Sequence, residues 1–286
     1  MTEELKAIDV MNYPFTPEGI EKFFGGSPEM REMIERVGHK PQGCSPEEFV
    51  AQMDEAGYEK VFIAAVKMGS YKGRWLASDF SNEEVYEIIK DYPDRLVGLA
   101  GYDPFNIMES LRQIERAVRE FGFKGVYAHT LGWDIRPDDR RMYPCYVKCI
   151  ELGIPFSMQV GHSLELMPSE AGRPIYIDKV ALDFPELTFI ASHTGWPWCE
   201  ELIALAWKHR NVYIDISAHL PRYLDRSLVQ FMDTRGRRKV LFGTNGLGLK
   251  LCKEQFLQLP LKEETKRAVL RENALRVFKL ETEQKS

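Results

Sequence analysis

The sequence has no excess of basic residues and no long uncharged apolar run. Its 38 Lys and Arg stand against 43 Asp and Glu, which gives a formal charge of −5 over 286 residues. Proteins that neutralise many nucleic-acid phosphates carry a basic surplus, so nucleic acid is not an expected partner. No window approaches the roughly 18 apolar residues of a membrane-spanning helix, and the first residues lack the pattern of an export signal. We therefore expect neither membrane insertion nor export.

Cysteine is scarce and poorly spaced for pairing or for metal binding. The 5 cysteines are an odd number, and only Cys145 and Cys149 lie close together, at a spacing that matches no zinc or redox motif. This favours free thiols in a reducing cytoplasm. With 44% hydrophobic, 28% charged and 12% aromatic residues, the composition is that of an ordinary globular protein and excludes a disordered or fibrous chain.

Short β-branched runs alternate with longer amphipathic stretches along the whole chain, a pattern typical of parallel βα units. Several amphipathic stretches end at a glycine, as helix C-termini often do, among them Gly57, Gly122 and Gly153. No Gly-rich dinucleotide turn follows the first strand. The pattern therefore predicts one α/β domain over residues 1–286, a (β/α)8 TIM barrel rather than an open doubly wound sheet. The predicted strands are residues 7–11, 60–66, 95–100, 124–128, 154–159, 187–192, 211–216 and 239–243.

Two connections are longer than ordinary βα loops. They are residues 12–45, after the first strand, with a short helical piece, and residues 67–80, after the second. Long βα loops lie on the C-terminal face of a barrel, where substrates bind. Both are therefore candidate lids, and packing against the rim without motion is the alternative.

Histidines concentrate at the predicted strand ends. Of 6 histidines in the chain, four fall on or just after four successive strands, namely His129, His162, His193 and His219. We call these the rim histidines. Because reactive side chains of barrels lie at the C-terminal ends of strands, they indicate a functional site there. For any single one, a hydrogen-bonded structural residue is the alternative interpretation.

Seven segments, in order, resemble a known family: IDVMNYP, GFKGVYAHT, ELGIPFSMQVGHS, FPELTFIASHTGWPWCEEL, NVYIDISAH, KVLFGTNG and ENALRVFKL. The sequence resembles the amidohydrolase 2 family of the amidohydrolase superfamily, which is related to aminocarboxymuconate-semialdehyde decarboxylase. The resemblance covers nearly the whole chain. It implies a (β/α)8 barrel, which the alternation of strands and helices predicts independently.

The chain departs from the metal-binding pattern that this resemblance implies. The family has His-x-His after strand one, histidines after strands five and six, and Asp after strand eight. Here these positions hold Met11 and Tyr13, Gln159, His193 and Asn245, so only His193 is retained. Zinc or manganese needs three or four imidazole, carboxylate or thiolate ligands. We therefore expect no metal and no other cofactor.

A relocated metal site is the alternative. The rim histidines, with Asp103 or Asp215, could supply three or four ligands to zinc or manganese. Their spacing in the sequence cannot decide whether the fold brings them together.

Without a metal, a hydrolytic barrel needs a base and donors for an oxyanion. The predicted catalytic residues are His193 as the base, Gln159 and Asn245 as neutral amide donors, and Tyr13 as a donor or an acid. The predicted substrate-binding residues are His129, His162, Arg173, Tyr127, Trp196 and His219. An arginine or lysine, whether Arg173, Arg74 or Lys67, could clamp a carboxylate or phosphate.

Three functions follow from these residues and from the resemblance. The first is a metal-independent hydrolase that cleaves a C–C or C–O bond next to a carbonyl in a small carboxylate or β-ketoacyl substrate, with aromatic-derived compounds among the candidates. The second is a decarboxylase of an aromatic or unsaturated acid, whose usual mechanism uses the family metal. The third is a non-catalytic barrel that binds a metabolite. A small molecule is the expected partner in each case, and the resemblance implies a homodimer.

Overall fold

Eight parallel strands form a nearly closed barrel, and their order around the barrel follows their order in the chain. The computed structural model describes residues 5–38 and 41–280. The barrel strands are β1 (Ala7–Asn12), β2 (Tyr58–Ala64), β5 (Leu96–Gly101), β6 (Gly125–Ala128), β7 (Phe156–Gln159), β8 (Phe189–Ser192), β9 (Val212–Asp215) and β10 (Val240–Leu241). A separate antiparallel hairpin consists of β3 (Lys67–Gly69) and β4 (Leu76–Asp79). This is the TIM barrel that the sequence predicts.

Helices follow the strands and cover the outside of the barrel. They are α1 (Pro17–Gly25), α2 (Pro28–Val37), α3 (Pro46–Ala56), α4 (Asn82–Ile89), α5 (Ile107–Glu120), α6 (Tyr143–Leu152), α7 (Ile177–Asp183), α8 (Cys199–Lys208), α9 (Arg226–Met232), α10 (Leu249–Leu257), α11 (Glu263–Arg267) and α12 (Asn273–Val277), with a π-helical turn (Ala268–Glu272) between the last two. Six of the barrel strands, β1, β5–β8 and β10, are buried along their whole length, as parallel strands covered on both faces are. In the described part of the chain, no helix is long and apolar enough to cross a lipid bilayer.

Local sequence signals set the helix ends. α1, α2 and α3 each begin with Pro-Glu after Thr16, Ser27 or Ser45, whose hydroxyl accepts a hydrogen bond from the backbone N–H three residues later. Gly57 and Gly153 end α3 and α6 at φ values of 70° and 65°, which cost glycine little. The predicted glycine boundaries are therefore confirmed.

The barrel closes between its first and last strands. The backbone N–H of Val10 donates to the carbonyl of Phe242 at 3.0 Å, and that of Asn245 donates to the carbonyl of Met11 at 2.9 Å. From outside, the Asn273 amide donates to the carbonyl of Val240 at 2.8 Å. These bonds hold the two-residue strand β10 in register with β1. The segments that follow β1 and β10 therefore lie side by side at the C-terminal face of the barrel.

The two long connections contain more structure than the sequence indicates. The first holds two helices, α1 and α2, rather than one helical piece, and the second forms the β3–β4 hairpin. They are joined at Glu29, whose buried carboxylate accepts from the Ser70 hydroxyl and the Lys72 backbone N–H, both at 2.9 Å. The Ser78 hydroxyl also donates to the carbonyl of Phe23 at 3.1 Å. The two loops thus form one layer over the C-terminal face of the barrel.

Candidate functional site

A cavity of about 530 Å³ lies at the C-terminal ends of the barrel strands, beneath the first loop. Its wall includes nine of the ten predicted site residues, namely Tyr13, Tyr127, His129, Gln159, His162, His193, Trp196, His219 and Asn245. Much of the remaining wall is apolar and comes from the first loop, with Phe23, Phe24, Met30, Met33 and Ile34. The structure therefore brings these nine residues together, and their individual roles remain predictions.

Arg173 is the predicted site residue that the structure does not bring to the cavity. Its guanidinium is bound by Glu201, with Nη2 2.7 Å from Oε1 and Nε 3.2 Å from Oε2. The two other candidate cations also contact residues away from the cavity: Lys67 pairs with Asp79, and Arg74 stacks over a tyrosine of the same loop. None of the three lies on the cavity wall, so the predicted anion clamp is not formed by them.

His193 is held by a chain of hydrogen bonds that leads to Asp215. His193 Nδ1 lies 2.8 Å from the Ser217 hydroxyl, and that hydroxyl donates to Asp215 Oδ2 at 2.8 Å. An ionised carboxylate only accepts, so the Ser217 proton points to Asp215 and the Ser217 oxygen accepts from Nδ1–H. The lone pair of His193 therefore lies on Nε2, which is on the cavity side, 3.4 Å from the Tyr127 hydroxyl.

The pKa values at this chain of hydrogen bonds are displaced mainly by burial. Burial, with a smaller contribution from the charges of His219 and His129, lowers the pKa of His193 to about 3. Burial raises the pKa of Asp215 to about 6, although hydrogen bonds from Ser217 oppose the rise. At neutral pH the imidazole is therefore neutral and the carboxylate is ionised, which is the state that leaves Nε2 as a base.

A second buried carboxylate, Asp9, fastens the two ends of the barrel together. Its Oδ1 accepts from the backbone N–H groups of Met11 and Thr244 at 3.1 and 3.0 Å, and its Oδ2 accepts from the Thr244 hydroxyl at 2.5 Å. Burial raises the pKa of Asp9 to about 7. These bonds fix the chain just before Tyr13 and Asn245, so Asp9 positions two residues of the cavity wall.

Three neutral donors on the wall have no protein partner. Within the residues that the structure describes, the Tyr13 hydroxyl and the side-chain amides of Gln159 and Asn245 make no hydrogen bond. The Tyr13 ring is nevertheless fixed, because it stacks on Phe23 with ring centroids 4.7 Å apart. Oriented donors without a partner are suited to a ligand oxygen.

Sequence reasoning missed three polar residues: Glu165, which lies on the cavity wall, and Ser217 and Asp9, which lie behind it. Asp9 stands in the middle of the apolar run that forms β1. Since a buried carboxylate needs hydrogen-bond partners, its place in this run could have indicated a structural or functional role. Ser217 follows Asp215 by two positions at a strand end, which was a weaker signal. Glu165 is on a loop between β7 and α7 and has no sequence feature that sets it apart.

Comparison with known families and solved structures agrees with the barrel fold. A family model described as amidohydrolase matches residues 29–280. The chain belongs to the amidohydrolase family. Among solved structures, this chain is similar to an uncharacterized TIM-barrel protein from Bordetella bronchiseptica, with 28% identity and a TM-score of 0.79 over 96% of this chain and 99% of that one. The resemblance read from the sequence is thereby confirmed.

Two further similar structures are decarboxylases. One is 5-carboxyvanillate decarboxylase from Novosphingobium aromaticivorans, complexed with manganese and 4-hydroxy-3-methoxy-5-nitrobenzoic acid, with 17% identity and a TM-score of 0.73 over 98% of this chain and 100% of that one. The other is a dihydroxybenzoic acid decarboxylase from a Polaromonas species, with bound manganese and 2-nitroresorcinol, with 18% identity and a TM-score of 0.68 over 96% and 97%. At these identities the likeness shows a shared fold.

The prediction that the protein has no cofactor is contradicted by these structures, both of which contain manganese, and we do not retain it. The side chains on this cavity wall nevertheless do not fit such an ion. Across residues 5–38 and 41–280, no group of three or more His, Cys, Asp and Glu is placed to hold a metal. The relocated site of rim histidines with Asp103 or Asp215 is therefore not formed either. The chemistry proposed below uses no metal and does not require its absence.

Proposed function

We propose that this member of the amidohydrolase family is a hydrolase that cleaves a C–C or C–O bond next to a carbonyl in a small molecule derived from an aromatic compound. The observation that carries the proposal is the series of hydrogen bonds from Asp215 through Ser217 to His193, which leaves Nε2 as a base on the cavity side. The aromatic side chains on the wall, such as Phe23 and Trp196, suit an aromatic ring.

The reaction starts with water bound at His193. Nε2 takes a proton from the water as its oxygen adds to the substrate carbonyl, and the resulting oxyanion accepts hydrogen bonds from Tyr13, Gln159 and Asn245. Collapse of the tetrahedral intermediate breaks the C–C or C–O bond, and the leaving carbon or oxygen takes the proton back from the imidazolium. Although burial lowers the pKa of His193, the adjacent oxyanion raises it at the step where the proton is held.

The first test is substitution of the base. We expect His193→Gln to lower kcat by about 10²–10⁴-fold on any aryl β-ketoacyl ester or thioester that the wild type hydrolyses, with a small change in KM. The matched control is His209→Gln, because His209 is a buried histidine bound to Asp178 at 2.6 Å and lies away from the cavity wall. Product formation is followed by chromatography on manganese-loaded and on chelator-treated protein. Full activity of His193→Gln would refute the assigned base.

Decarboxylation of an aromatic acid is the second candidate, and the specific observation in its favour is the shared fold with two manganese-containing aromatic-acid decarboxylases. The two reactions differ in their products. Hydrolysis in ¹⁸O-labelled water places the label in the product acid, whereas decarboxylation releases CO2 and leaves a proton on the ring. CO2 release from 2,6-dihydroxybenzoate or 5-carboxyvanillate, without label in the product, would replace the hydrolase by the decarboxylase.

A further inference from the structure

His129 is a buried cavity residue whose ring has no hydrogen-bond partner among the residues that the structure describes. It follows β6, is only 4% exposed, and both of its ring nitrogens are buried without a hydrogen bond to any described residue. Most buried polar side chains in native proteins are paired, because an unpaired one costs the free energy of desolvation without compensation. Since His129 lies on the cavity wall, a group bound in the cavity is what can satisfy it.

The position of His129 relates it to the proposed reacting centre. Tyr127 lies two residues earlier, and alternate residues of a strand point to the same face. The Tyr127 hydroxyl is 3.4 Å from His193 Nε2, and His129 is close enough for its charge to lower the pKa of His193. A molecule that fills the cavity can therefore contact both His129 and His193.

The chemistry around His129 selects an uncharged polar group. Burial lowers the pKa of His129, against the opposing charge of Glu165 on the same wall, so the ring is neutral at neutral pH. A neutral imidazole has one donor nitrogen and one acceptor nitrogen. The carboxylate of Glu165 repels an anion at this place. A hydroxyl group satisfies the imidazole in either tautomer without adding charge.

We propose that His129 binds a hydroxyl group on the aromatic ring of the substrate. The substrate class is then a hydroxylated aryl ketone, ester or thioester, with the phenol hydroxyl at His129 and the carbonyl at His193. This inference rests on the proposed function for the aromatic nature of the substrate, but it concerns binding and can be tested without turnover.

The test compares ligands that differ by one hydroxyl group. Binding of acetophenone and of its 2-, 3- and 4-hydroxy derivatives is measured by calorimetry at pH 7.5. We expect at least one hydroxy derivative to bind the wild type about 10-fold tighter than acetophenone, which is the gain of one hydrogen bond to a buried group. In His129→Leu this advantage falls below about 2-fold while the affinity for acetophenone is kept.

Two further variants separate binding from folding. His209→Leu, which removes a buried histidine bound to Asp178 away from the cavity wall, keeps the advantage, and His129→Gln, which retains a donor and an acceptor, restores part of it. Because the free protein carries His129 unpaired, His129→Leu raises Tm by a few degrees, whereas loss of a structural residue would lower it.

The proposal is overturned if no hydroxy derivative binds better than acetophenone, if the advantage persists in His129→Leu, or if His129→Leu loses Tm and acetophenone binding together. Failure of the hydrolase proposal has a different signature. It shows as absence of turnover while the hydroxyl advantage at His129 remains.

Discussion

The protonation state of Asp215 decides which nitrogen of His193 carries hydrogen. When Asp215 is ionised, Ser217 donates to it and accepts from Nδ1–H, which leaves the lone pair of the imidazole on Nε2. When Asp215 is protonated, its O–H donates to the Ser217 oxygen and the Ser217 hydroxyl can turn to donate to Nδ1. The imidazole hydrogen then lies on Nε2, which no longer acts as a base. A single proton on the buried Asp215 thus decides whether Nε2 can serve as the proposed base.

This switch predicts the acid limb of the pH profile. Burial raises the pKa of Asp215 to about 6, and the active form is ionised, so kcat/KM falls as the pH drops through about 6. His193 has a pKa of about 3 and does not set this limb. Asp215→Asn holds the unproductive tautomer at every pH, so we expect at least about 10²-fold lower kcat and no limb near pH 6.

Profiles of the wild type and of Asp215→Asn between pH 5 and pH 9 provide the measurement. A limb that is unchanged in the variant would assign the titration to another group, such as Asp9 with its pKa raised to about 7, and would contradict the switch.

Among the secondary-structure elements, the chain after β10 packs closely against the end of β9. Gly243 lies directly against Asp215 and Ser217 there. A Cβ built on Gly243 would lie 2.7 Å from Asp215 Oδ1 and 2.8 Å from the Ser217 Cβ, closer than either can tolerate without moving. We expect Gly243→Ala to reduce the free energy of unfolding by about 1–3 kcal/mol through overpacking, and to lower kcat by displacing Asp215. Denaturant unfolding and steady-state kinetics measure the two effects.

The control for this prediction is Gly25→Ala at the end of α1, where the nearest atom to a new Cβ is the flexible Glu21 carboxylate at 3.0 Å. Equal effects of the two substitutions would show that contact with Asp215 and Ser217 is not the cause.

The first and second loops depend on each other through Glu29. Its carboxylate is the acceptor for Ser70 and Lys72 of the second loop, so Glu29→Ala leaves two donors unpaired. We expect trypsin to cleave the native protein several-fold faster at Lys72 or Arg74, and KM to rise, because α2 also supplies cavity wall. Cleavage is timed by mass spectrometry. Glu32→Ala, an exposed position on the same helix, should match the wild type, and equal cleavage of both variants would argue against the link.

For the whole molecule, alternation of strands and helices was enough to predict the barrel. Strands buried on both faces read as short apolar runs, so the eight barrel strands were found nearly at their observed bounds. The β3–β4 hairpin and α2 were not resolved, because their stability comes from contacts with each other, such as Glu29 to Ser70, rather than from local pattern. Helix α10 was not predicted either.

The strand-end rule likewise predicted most of the cavity wall. It worked for nine residues because a parallel barrel brings every strand end to one face. It could not serve for Arg173, which lies on a loop and pairs with Glu201 of a following helix, a partner that no sequence spacing reveals. The prediction about cofactors failed for another reason. It rested only on the number of metal-ligating side chains in this sequence, and that number does not reveal that similar structures contain manganese.

The bonds of Asp9 to Thr244 join residues 235 positions apart. Contacts of such separation form late when a chain folds, because the entropy lost in closing the ring is recovered only when most of the strands are already docked. Tyr13 and Asn245 reach their places on the cavity wall through the same closure. During refolding, then, helical and strand signals should return before the protein can hold a ligand, and the interval between the two is the time that the last strand takes to find the first.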